Sequence, residues 1–260
     1  MMVGVLIGLL VIVAAMGTFV FTRQSGKTSG DALRLHQEAQ RVFRVLQVHL
    51  AQAGSFTLVD VEDPAAGLAV SAQGGVPLGV AWAVSGRDGG SAGTDVLTVS
   101  HSSQIPASAS GGDARAVSNC LDGVVGNPAA GALVVTTVRL VGDRVVCDAN
   151  LDSEAGTPTE QTIARGAEDL QFRYGVRDHA NGAVAYWPAS SLSSASAVVP
   201  SWAQVQSLEV CLQLRGQRFD HPRLGSVIGC RGQTVPADGR LRRVFRQVIA
   251  LRNHLEFVQP

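Results

Sequence analysis

Residues 1–21 read MMVGVLIGLLVIVAAMGTFVF. The run holds no charge, no Pro, no Asn and no Gln, and Thr18 carries its one side-chain hydroxyl. At about 1.5 Å of rise per residue, a helix of this length covers the roughly 30 Å of hydrocarbon in a bilayer. Backbone in lipid must satisfy its own hydrogen bonds, so the run reads as a membrane helix. A cleaved signal peptide fits less well. Its apolar region usually spans about 7–15 residues, and no small-x-small site closes this run before charge appears.

Working outward, the C-terminal flank carries Arg23, Lys27 and Arg34, while nothing basic precedes the run. The positive-inside rule alone would leave the rest of the chain in the cytoplasm. The cysteines argue for export, as developed below. The two are reconciled if Met1 lies inside a longer precursor with a basic leader, which is the expectation here.

Gly26, Ser29 and Gly30 are expected to loosen the helix, with Asp31 as N-cap or first-turn acid of a second segment. Beyond it Leu35, Ala39, Val42, Leu46, Leu50 and Ala53 recur at steps of three and four, an apolar stripe on one helix face. Gly54 suits the position just past the helix end. Gly4 and Gly8 form a GxxxG, and with Ala14 and Ala15 they mark where neighbouring apolar helices could approach closely.

After Gly54 the period becomes two. Strands are predicted at Val80–Val84, Val96–Val99, Leu133–Val141, Arg144–Cys147, Leu170–Tyr174, Val184–Trp187, Leu208–Leu214 and Val244–Leu251. Gly142-Asp143 and Asn181-Gly182 read as tight turns. Gly86–Gly93, Ser108–Asp113 and Ser190–Ser196 read as surface loops. Adjacent strands joined by short turns imply an antiparallel sheet, so the predicted class is α+β: one long helix laid across a mostly antiparallel head. The expected division is 1–22, a membrane or filament-core half-helix; 23–54, an amphipathic half; and 55–260, a β-rich head.

Of the 260 residues, Lys plus Arg and Asp plus Glu number 21 each, so formal charge is zero and no electrostatic footprint for nucleic acid exists. Cys120, Cys147, Cys211 and Cys230 include no CxxC, which disfavours a zinc ribbon. Two disulfides suit an exported domain. Three connectivities are open; Cys120–Cys147 with Cys211–Cys230 is favoured because each closes one hairpin-sized loop.

The chemical motifs are weak. Gly89-Gly90-Ser91-Ala92-Gly93 matches GxSxG, but a strand rather than a helix follows Ser91. His101, at a strand end, reads as a surface polar residue rather than a base. Asp148, Asn150, Asp152 and Glu154 are spaced like the start of a calcium loop, but Ser153 and Thr159 stand where an EF-hand needs Gly and Glu; a solvated acidic turn is the default. Glu168-Asp169 opens a strand whose alternation would send the two carboxylates to opposite faces, which does not make a glycosidase pair. No catalysis, cofactor or metal is expected.

The order of elements resembles a type IV pilin, and within that group the PilW family of minor pilins. The residues carrying the resemblance are the MVGVLIGLLVIVAAM run, AEDLQFRYG at Ala167–Gly175, Trp202-Ala203-Gln204-Val205 leading into the strand through Leu214, and Arg246–Asn253 closing on Leu251-Arg252-Asn253. The J-type minor pseudopilins of type II secretion share similar blocks. The basic leader, cleavage-site Gly and fifth-position Glu of prepilins have no counterpart ahead of Met1, so no residue is assigned to those roles. The resemblance implies an inner-membrane subunit with a periplasmic head that enters an extracellular pilus and helps start assembly near its tip. It also implies its partners: other minor pilins, the major pilin, the assembly machinery, the membrane and a tip adhesin. The alternatives are a type II secretion pseudopilin and, further off, a membrane-anchored periplasmic hydrolase using Ser91.

Overall fold

The structure, a computed structural model, describes residues 2–55, 71–72, 76–77, 83–90, 93–102, 120, 133–149, 160–178, 182–193, 200–217 and 225–252. One helix, α1 (Met2–Gln52), runs 51 residues without interruption. The expected loosening at Gly26–Gly30 does not occur, and Asp31 is no cap: it sits inside the helix and is buried. Each glycine costs a helix only about 1 kcal/mol, and no Pro removes a backbone donor there, so propagation continues through them. The helix stops where the sequence indicates. Ala53 N–H donates to the His49 carbonyl, Gly54 takes φ 73°, and its N–H donates to the Ser100 carbonyl at 3.0 Å.

Thirteen strands follow among the described residues. The pairs β1 (Ser71–Ala72) with β2 (Val76–Pro77), and β11 (Val227–Ile228) with β12 (Thr234–Val235), stand alone as short ribbons. Five strands form one antiparallel sheet in chain order: β3 (Val84–Arg87), β4 (Val96–Ser102), β5 (Leu133–Val141), β6 (Arg144–Ala149) and β7 (Gln161–Arg165). Four form a second, also antiparallel, in the order β13 (Arg242–Ala250), β10 (Val205–Arg215), β8 (Ala167–Arg177), β9 (Val184–Trp187). The chain changes sheet at Gly166. Its φ of 79° and a Cβ position 2.7 Å from the Arg215 carbonyl both demand glycine.

The mostly antiparallel class holds, and most strands lie where alternation puts them. Val141 and Arg144 pair across Gly142-Asp143, with Gly142 at φ 61°. The strand expected at Val80–Val84 instead begins at Val84, and 80–82 lie outside the described residues. Gly86 therefore belongs to β3 and not to a loop. Ser190 and Ser191 lie in a 3-10 turn, and Ser108–Asp113 falls outside the described residues.

The helix stripe is the spine of the core. Ala39, Val42, Leu46, Leu50 and Ala53 are fully buried and Leu35 nearly so, joined by Phe43, which the stripe did not include. They pack on the inner faces of both sheets, against Leu97, Leu170, Phe172, Leu208, Leu212 and their neighbours. Each buried Leu or Phe contributes about 1.5–3 kcal/mol.

Candidate functional site

The first half of α1 has no cover. Val5, Ile7, Met16 and Phe19 are exposed, and so is every residue from Leu9 to Val13. Five consecutive helical residues point in all directions at about 100° each, so no face of this segment is covered by the head. A Cβ placed on Gly4 or Gly8 meets nothing within 4 Å. Ala14 and Ala15 are equally open, and Thr18 turns its hydroxyl back onto their carbonyls at 3.2 and 2.9 Å. Among the described residues no helix is long and apolar enough to cross a membrane. Nine large apolar side chains are exposed between Val5 and Phe19. Covering them is worth on the order of 10 kcal/mol.

The head is pinned covalently. Cys120 is bridged to Cys147 of β6, and Cys211 of β10 to Cys230, with Cα separations of 5.9 and 5.6 Å. The donor atoms of His49, Cys120 and Cys147 lie within 4.8 Å of one another. Both sulfurs are engaged in the disulfide, which leaves the group one imidazole nitrogen as a metal donor.

The other residues singled out in the sequence do not converge. Ser91 lies outside the described residues, as do Asn150, Asp152 and Glu154. Asp148 is held by Arg139 at 2.8 Å, and the same guanidinium bonds Glu160. His101 is not at the surface: it is buried on β4, and neither ring nitrogen has a hydrogen-bond partner among the described residues. Burial, with the nearby His49 charge, pushes its pKa down to about 4, so it is a neutral packing group near pH 7.

Glu168 and Asp169 are corrected too. A register shift between Gln213 and Leu214 breaks the alternation opposite them. Gln213, which pairs across from Asp169, donates to Glu168 at 2.8 Å, so the carboxylates converge. Both are taken up by arginines. Glu168 binds Arg242 at 2.7 Å and Arg215 at 3.2 Å, and buried Asp169 binds Arg231 at 3.1 Å. The Glu168 carboxylate, with Asp238, holds the Arg242 pKa above its ordinary value. This cluster ties β8, β10 and β13 to the loop after Cys230 as a clasp. Beyond the Glu168-Asp169 pair, the cluster is not legible locally, because its members are scattered from residue 168 to residue 242.

Residues 126–253 match the family model described as PilW, type IV pilus-assembly protein W. No curated protein matches the chain. Among solved structures the chain is similar to the type IV-like pilin TTHA1219 from Thermus thermophilus, at 13% identity over 85% of this chain and 99% of that one, with a TM-score of 0.46. It is also similar to a chain of the GspK-GspI-GspJ complex of the enterotoxigenic Escherichia coli type 2 secretion system, at 10% identity over 83% and 97%, with a TM-score of 0.37. At such identities and scores the fold rests on the chain's own elements.

Proposed function

We infer, from a chain whose residues 126–253 belong to the PilW family of type IV pilus-assembly proteins, that it is a minor pilin: a structural subunit, not a catalyst, that helps initiate a type IV pilus near its tip. The observation that carries this reading is the bare apolar half of α1, exposed on every side and continuous with a half that is riveted into the head. Such a segment has two favourable surroundings, lipid and a bundle of similar helices, and passage between them exchanges lipid contacts for helix packing. The division 1–22, 23–54 and 55–260 follows: a segment for membrane and fibre core, a segment that belongs to both rod and head, and a periplasmic head that selects neighbours. Partners on this reading are the major pilin, other minor pilins, the assembly machinery and a tip adhesin.

Gly4, Gly8, Ala14 and Ala15 are the proposed points of close helix approach. Lipid reads length and hydropathy, whereas a helix bundle also reads side-chain size. Gly4→Leu with Gly8→Leu should leave membrane insertion intact and lower the amount of protein recovered in sheared fibres. Normal recovery at matched membrane level would reduce the helix to a simple anchor. Recovery with secretion pseudopilus subunits in place of pilus subunits would move the protein to the sister machine.

A further inference from the structure

The second half of α1 has an outer face that the head leaves exposed at Gln37, Arg41, Arg44 and Val48 and half-exposed at Arg34 and Glu38. It carries Arg34, Arg41 and Arg44 against one carboxylate, Glu38. Arg34 and Arg41 are seven residues apart and nearly in line along the helix, and Arg44 is on the adjoining row. None of the three makes an ion pair among the described residues, whereas Arg139, Arg215, Arg231 and Arg242 in the head each hold a carboxylate. Beside the stripe a groove of about 440 Å³ opens between Arg41, Arg44, Val45 and Val48 of the helix and Cys120 opposite. Val48 is 38% exposed, which gives the groove an apolar spot one turn past Arg44. The Cys120–Cys147 bridge ties Cys120 covalently to β6.

We propose that this face docks a carboxylate-rich segment of a neighbouring subunit in the fibre; the proposal rests on the minor-pilin reading above. Charge complementarity selects the partner: guanidiniums with no ion pair among the described residues, beside a small apolar contact, fit clustered Asp or Glu flanking an aliphatic side chain, and such pairing sets register more than raw affinity. Anionic lipid is the poorer match. Arg41 and Arg44 lie twenty or more residues beyond Phe21. That is about 30 Å along the helix, several Debye lengths of about 8 Å from any headgroup layer at the end of the apolar run.

The test uses the full-length chain in cells that make the fibre. Arg41→Glu with Arg44→Glu should leave membrane level and the unfolding midpoint in detergent unchanged, and should lower fibre content about ten-fold, because like charges then face each other across the contact. Arg41→Lys with Arg44→Lys should keep most of the incorporation. A photo-crosslinker at Val48 should link to a peptide of another subunit that carries clustered carboxylates, and lysines at those carboxylates should rescue the glutamate pair. Unchanged fibre content of the glutamate pair overturns this proposal alone; absence of the wild-type chain from fibres overturns the minor-pilin reading with it. A lower unfolding midpoint of the glutamate pair, restored by lysines at Asp60, Glu62 and Asp63 of the same chain, overturns it in favour of the chain's own acidic run. Loss of binding to phosphatidylglycerol vesicles with fibre content intact overturns it in favour of lipid.

Discussion

The carboxylate of Asp95, the residue just before β4, accepts a hydrogen bond from the backbone N–H of Phe172 in β8 of the other sheet at 2.8 Å. Its other oxygen accepts from Gly89 N–H at 3.0 Å, and Asp95 N–H donates to the Leu170 carbonyl at 3.1 Å. One residue thus imitates a rung of ladder where β4 begins against β8. Burial raises the Asp95 pKa above 3.8, and its two backbone bonds oppose that rise. Because the folded value exceeds the unfolded one, the contribution is complete below about pH 3.8 and declines as pH climbs through the folded value. Asp95→Asn has one acceptor oxygen for two N–H groups and should cost about 1–3 kcal/mol. The cost should be larger at pH 4 than at pH 7, since only the wild type loses stability across that window. Denaturant titrations at both pH values check this; equal costs would remove the linkage.

His101 acts with the opposite sign. Its folded pKa is depressed to about 4 from 6.5, so its contribution is whole above about pH 6.5 and is lost as pH falls toward 4. Those two values correspond to at most about 3 kcal/mol. His101→Leu should move the acid-unfolding midpoint to lower pH. A midpoint that stays in place would mean that other groups govern acid unfolding.

A Cβ on Gly86 would lie 1.9 Å from the Tyr174 hydroxyl and 2.7 Å from the Val96 carbonyl. Gly86→Ala should therefore destabilise by about 1–3 kcal/mol, as overpacking does. Tyr174→Phe removes the nearer clash, so the double variant should be more stable than the sum of the single costs, with the Val96 contact remaining. Additive costs in that cycle would refute direct contact.

Leu46 is fully buried at the middle of the helix stripe. Leu46→Ala should cost roughly 2–4 kcal/mol in equilibrium unfolding, whereas Gln47→Ala, one residue away on the exposed face, should cost less than about 0.5 kcal/mol.

What the sequence shows and what it hides divide along physical lines. Leu208, Val210, Leu212 and Leu214 announce β10 because alternation is local, and Gly142 announces its turn because a positive φ selects glycine. The Glu168–Arg242 pair depends on a bulge and on strand order, which no local period encodes. His101 looks like a surface residue because hydropathy alone places it there; its burial follows from the helix end crossing β4 at Gly54 and Ser100. Asp31 looks like a cap because acidic residues open helices, and the unbroken backbone through Gly30 removes that role. The outer face of α1 is legible only in part, since the arginines are visible in sequence but their lack of ion pairs among the described residues is not.

The unbroken run of α1 from Met2 to Gln52 fixes an angle as well as a length. Each residue of an α-helix turns the chain by about 100°, so the azimuth of the head about the rod is set by the number of residues between the apolar run and Leu35. Inserting one alanine between Phe21 and Asp31 would rotate every surface of the head by about 100° for only about 1.5 Å of lift, while inserting seven would lift it about 10 Å and return it to within about 20° of its original heading. In a helical array, where each head must face a particular neighbour, the smaller insertion is therefore the more disruptive one.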